Sequence, residues 1–144
     1  MASLTLLDIN VLVYAHKEGS PYHQEYAAWL TQFIEDERFA AAHIILSGFI
    51  RITTHPKIYT PPSTLEEVLG FANNFVNHPN CTVIAPESQH WSIFTHLCKQ
   101  INARANDVTD AYLAALAIEH DCEFVTADKG FARFPGLRWR HPLN

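Results

Sequence analysis

Unbroken apolar runs alternate along this chain with segments in which apolar residues recur every three or four positions. That alternation predicts strand and helix in turn. Leu4-Thr5-Leu6-Leu7 is almost continuously apolar, so residues 3–8 read as a strand buried on both faces. Asn10 is placed to cap a short helix holding Val11, Leu12 and Tyr14. Pro21 then opens a second helix with Tyr26, Trp29, Leu30, Phe33 and Ile34 on one face. Phe39-Ala40-Ala41-Ala42 is a weak strand, and Ile44, Ile45, Leu46, Phe49 and Ile52 repeat at helical spacing until His55-Pro56.

Beyond the Pro61-Pro62 break, Thr64 and Glu67 stand as a capping box for a helix reaching about Asn77, whose Phe71, Phe75 and Val76 suit a core or a dimer surface. Thr82-Val83-Ile84 is a short strand, and Ile93, Leu97 and Ile101 mark the next helix. Asn106 caps a helix from Asp107 to His120, strand 122–126 follows, and Leu137-Arg138-Trp139 makes a final edge strand. The order predicts an α/β protein: a three-layer α/β/α sandwich around a central, mostly parallel sheet. No linker or repeat divides it, so residues 1–144 form one domain.

Composition narrows the chemistry. With 48% apolar and 17% charged residues the chain is globular. Cys81, Cys98 and Cys122 are too scattered for a disulfide framework or a zinc pair, and His90 and His96 are six apart, off helical ligand spacing. Met1-Ala2-Ser3-Leu4 lacks a basic n-region and no window is apolar enough to span a membrane, which predicts a cytoplasmic protein. A net charge of −5 argues against a broad nucleic-acid-coating surface but leaves room for a local site.

The acids supply that local site. Asp8 closes the first strand, Asp128 follows the strand at 122–126, and Asp107 and Asp110 share one face at the start of an apolar helix. Singly, each has a plain structural role: a helix cap, a dipole partner or a turn residue. Together they fall where open parallel sheets bind ligands, beyond the carboxyl ends of the strands. Two like charges at about 4 Å repel by about 4 kcal/mol at an effective dielectric of about 20, so such a cluster calls for a cation. All-oxygen donors suit Mg²⁺ or Mn²⁺, and such a site suits phosphodiester hydrolysis by a metal-activated water.

Three segments carry a resemblance. Leu6-Leu7-Asp8-Ile9-Asn10-Val11-Leu12, Asp110-Ala111-Tyr112-Leu113-Ala114-Ala115-Leu116-Ala117 and Thr126-Ala127-Asp128-Lys129-Gly130-Phe131-Ala132-Arg133-Phe134 are similar to the motifs of PIN-domain ribonucleases. The ending Phe134-Pro135-Gly136-Leu137-Arg138-Trp139 resembles VapC-type toxins in particular. The resemblance implies a PIN-like fold, Mg²⁺- or Mn²⁺-dependent endoribonuclease activity as the toxin of a toxin–antitoxin pair, a VapB-type protein antitoxin and a homodimer. On the family pattern Asp8, Asp110 and Asp128 match metal-binding acids, and Asn10 and Thr126 match supporting polar residues.

Two positions depart from it. Gly48 stands where the family carries a Glu, and Gly130 where it often carries a further acid. Asp107 is the candidate to compensate, as a fourth metal-binding acid. Arg51, one turn from Gly48, is the candidate RNA contact, with Lys17, Lys57, Arg104, Arg133, Arg138 and Arg140 as further basic residues. Tyr14, Trp91 and Trp139 are candidates to stack on bases. The departures motivate an alternative: a catalytically weak PIN domain that binds RNA or a partner. An aspartyl phosphatase using Asp8 fits poorly, because Asn10 stands where that chemistry wants a second Asp.

Overall fold

The computed structural model describes residues 4–144. Strands β1 (Thr5–Leu7), β2 (Phe39–Ala41), β3 (Cys81–Val83), β4 (Glu123–Val125) and β5 (Trp139–Arg140) form one sheet in the order β3-β2-β1-β4-β5. Every pairing is parallel, with Leu6 opposite Ala40 on one side and Phe124 on the other. Helices α1 (Ile9–His16) and α2 (His23–Asp36) join β1 to β2, and α3 (His43–Thr53) and α4 (Leu65–Val76) join β2 to β3. Helices α5 (His90–Ile101) and α6 (Asn106–Glu119) lead back across the sheet to β4.

Parallel crossovers are right-handed. The first two run one way along the sheet and the third returns the other way. Helices α1–α4 therefore cover one face and α5–α6 the other, which gives the three layers. The direction reverses between β1 and β4, and the crevice at such a switch point is where open α/β sheets place their ligands.

The apolar runs are central strands because both faces are covered: Leu6, Leu7, Phe124 and Val125 are all buried. Phe39, Phe49, Leu12, Val11 and Leu116 complete the core. Helix α4 turns its aromatic face inward, with Phe71 stacked on Phe49 at 5.0 Å and Phe75 against Phe39 at 4.6 Å, so both pack on the core. Cys81, Cys98 and Cys122 are free thiols.

Three element starts differ from the sequence reading. Asp8, not Asn10, caps α1: its carboxylate accepts the Ile9 N–H at 2.7 Å while Asn10 lies inside the helix. Helix α2 begins at His23 rather than at Pro21, behind Tyr22 in the left-handed region at φ 57°. Asn106 is the first residue of α6 and not its cap, because Ala105 makes the turn at φ 54° with no side-chain cap. The Thr64 cap holds, its hydroxyl oxygen accepting the Glu67 N–H at 3.2 Å.

Candidate active site

Asp8 sits where β1 gives way to α1, with its backbone N–H bonded to the Val125 carbonyl of β4 at 2.9 Å. Its side chain is 6% exposed. One carboxylate oxygen accepts from Ile9 N–H, and the other accepts the Thr126 hydroxyl at 2.7 Å. Thr126 is itself fully buried at the end of β4. Its hydroxyl oxygen accepts the Asp128 N–H at 3.0 Å and the Asn10 amide at 3.4 Å. The Asn10 side-chain carbonyl accepts the Ala127 N–H at 3.3 Å. Asn10 and Thr126 thus stitch the ends of the two adjacent strands together and fix the Asp8 carboxylate between them.

Asp128 is held by the 3-10 turn that follows, its Oδ1 accepting the Gly130 N–H at 2.8 Å. Asp110 reaches the site from the first half of α6. Asp8, Asp110 and Asp128 line one cleft of about 360 Å³, walled by Tyr14, Tyr59, Ile9 and Ile52.

Burial pushes the Asp8 carboxyl up from 3.8 to about 6, against the pull of Thr126 and Ile9, and the charges of Asp110 and Asp128 raise it further. Asp110 is also raised, first by burial and then by Asp128 and Asp107, although Arg133 beside it acts the other way. A carboxyl that stays raised with an arginine in contact is under-compensated, and a further cation would relieve it.

Arg133 is the residue that sequence reasoning misplaced. Named only among further basic residues for RNA, it turns its guanidinium to the acids: Nη2 donates to Asp107 at 3.1 Å and to Asp110 at 3.0 Å, while its other terminal nitrogen donates to the Gly130 carbonyl. A Cβ on Gly130 would meet Arg133 Nη1 at 2.9 Å. A side chain at position 130 would start against this guanidinium and against Asp128 Oδ1, also at 2.9 Å.

Asp107 and Arg51 fall outside the cleft lining. Asp107 pairs with Arg133 at the rim. Arg51 is exposed on α3, whose contribution to the cleft wall is its neighbour Ile52. A Cβ on Gly48 would meet Ile9 Cδ1 at 2.6 Å, so isoleucine occupies the space that a glutamate would need. Of the stacking candidates, Tyr14 lines the cleft and Trp91 and Trp139 do not.

The donor chemistry, three carboxylates with no His or Cys, fits a hard dication. Among the described residues, no three Asp, Glu, His or Cys side chains are gathered closely enough to form a finished cage. Asp110 is engaged by Arg133 and Asp128 by the Gly130 N–H.

A parallel sheet with acids converging at its switch point is the plan of a nuclease-like α/β domain, and the PIN domain profile matches residues 5–137. The chain belongs to the PIN-domain family. Within that family its likeness is to VapC proteins. It is 37% identical to the VapC ribonuclease Mb2897 of Mycobacterium bovis, over 96% of this chain and 95% of the relative. It is 30% identical to ribonuclease VapC25 of Mycobacterium tuberculosis, over 95% of this chain and 97% of the relative. Solved structures of the same fold include VapBC2 of Rickettsia felis bound to a promoter DNA fragment, with TM-score 0.68 and 20% identity over 96% of this chain and 98% of that one. VapBC-1 of nontypeable Haemophilus influenzae also has TM-score 0.68, with 18% identity over 98% and 99%.

Proposed function

We propose that this chain is an Mg²⁺- or Mn²⁺-dependent endoribonuclease acting as the toxin of a VapBC-type pair. The observation that carries the reading is the meeting of Asp8, Asp110 and Asp128 on one cleft at the β1–β4 switch point, with Asp8 buried and its carboxyl raised to about 6. Relatives named ribonucleases along nearly the whole chain support the activity, and neighbours solved as VapBC complexes support an antitoxin partner.

Asp8, Asp110 and Asp128 would hold the ion. Bound there, it would activate a water for attack on a phosphodiester and stabilise the leaving oxygen. The chain's own residues prepare for it. Thr126 and the Ile9 N–H lock Asp8 in one orientation, so that it need not reorganise. Arg133 holds Asp110 near the cleft by an ion pair that an incoming dication can replace. Ile9 and Ile52 make the wall apolar, which strengthens every charge interaction inside. With a net charge of −5, the chain suits an antitoxin that brings a basic segment to the acidic cleft. A homodimer belongs to the same reading.

The test is incubation of the purified chain with structured RNAs and Mn²⁺. Internal cleavage that EDTA stops, and that Asp8→Asn abolishes, is the expected result. RNA binding without any cleavage supports instead a weak or inactive PIN domain. Two observations favour that second reading: the place of a glutamate at position 48 is filled by Ile9, and Asp110 is engaged by Arg133.

A further inference from the structure

A second cavity, of about 460 Å³, adjoins the acidic cleft, and Tyr14 lines both. Its walls are aromatic. Tyr14 meets Tyr26 edge-on at 5.2 Å, and the Tyr26 hydroxyl lies 3.4 Å from His141 Nε2. Lys129, next in the chain after Asp128, contributes a cation beside His141 and Asn144. Its size is that of a small-ligand site.

Tyr22 completes the wall, and it is the odd residue there. It is 70% exposed, and its backbone is left-handed at φ 57°. Gly or Asn adopts that conformation far more readily than a tyrosine. An observed outlier of this kind motivates a functional role.

Aromatic faces beside a cation are what a single-stranded nucleotide needs: stacking for the base and a charge for the phosphate. We propose that this cavity is a nucleotide subsite, in which Tyr22 and Tyr14 receive one unpaired base of an RNA strand and Lys129 holds a phosphate beside the one positioned at the acids. The subsite rests on the ribonuclease reading for its ligand class.

Anisotropy of a labelled single-stranded oligoribonucleotide, measured in EDTA, tests binding apart from cutting. Tyr22→Ala and Lys129→Gln are each expected to weaken binding about 10-fold, within the range of one stacked base or one phosphate contact. Tyr22→Asn is expected to weaken it similarly while raising Tm, since asparagine suits the backbone; a general loss of structure would lower Tm. A fully paired RNA of the same sequence should show no such dependence. Unchanged single-strand affinity in both Tyr22→Ala and Lys129→Gln overturns the subsite, as does equal weakening for the paired RNA. Cleavage with Mn²⁺ is scored separately. A chain that binds single strands through these residues but cuts nothing supports the subsite and overturns the nuclease reading.

Discussion

Asp8 holds together a conflict between folding and function. Its ionised form is disfavoured by burial, and the shift from 3.8 to about 6 corresponds to about 3 kcal/mol. The sign follows from proton binding: between about pH 4 and pH 6 the folded chain holds the proton more tightly than the unfolded chain. Stability in metal-free buffer should therefore fall as pH rises through that window and then level off. Asp8→Asn should remove this fall, leaving a variant about 1–2 kcal/mol more stable than the unaltered chain at pH 7.5 by urea unfolding, with the difference vanishing near pH 4. An identical pH profile in the variant would show that Asp8 is not strained by burial.

Arg133 makes a complementary prediction. Its guanidinium competes with any cation for Asp110, so Arg133→Ala should tighten Mn²⁺ binding by about 5-fold, or about 1 kcal/mol, by isothermal titration. Weaker binding would mean that the arginine serves to hold Asp110 in place for the ion. Asp107→Ala should leave Mn²⁺ affinity unchanged, because Asp107 meets the arginine at the rim and does not line the cleft.

At the scale of elements, helix α3 faces α1 through Gly48 and Ile9. The Cβ of a glutamate at 48 would meet the tip of the Ile9 side chain at 2.6 Å, so Ile9 must change rotamer to admit it. Gly48→Glu alone is expected to cost about 2 kcal/mol, through a buried charge and forced repacking. Ile9→Ala combined with Gly48→Glu should recover part of that loss and tighten Mn²⁺ binding, a coupling that a double-mutant cycle reads directly. Strictly additive effects would deny the exchange of isoleucine for glutamate.

The elements were legible in the sequence to different degrees. Continuous apolar runs such as Leu4–Leu7 and the helical repeat from Ile44 to Ile52 report burial, so strands and helix faces were readable from local pattern. The helix starts were not, because caps depend on what the side chain meets in three dimensions. Asn10 is a good cap by type, but Thr126 and Ala127 of a strand end 116 residues away engage it instead. Tyr22 and Ala105 take positive φ values that their residue types do not announce.

For the whole molecule, strand order matters more than any one motif. The pairing of β1 with β4 juxtaposes Asp8 and Thr126 across 118 residues of chain, a contact invisible to any local window. The list of acids was readable because each follows a strand or opens a helix. The arginine that pairs with two of them was not, because a base in a short turn has no periodicity to show where it points.

The proposed role of Asp8, Asp110 and Asp128 as joint ligands of one hard dication is tested most directly by calorimetric titration of Mn²⁺ at pH 7.5. The account predicts saturable binding by the unaltered chain, lost or weakened at least about 10-fold in each of Asp8→Asn, Asp110→Ala and Asp128→Ala, which corresponds to about 1.4 kcal/mol or more per ligand. Equal Mn²⁺ affinity in all four proteins, or no binding by the unaltered chain, would contradict it.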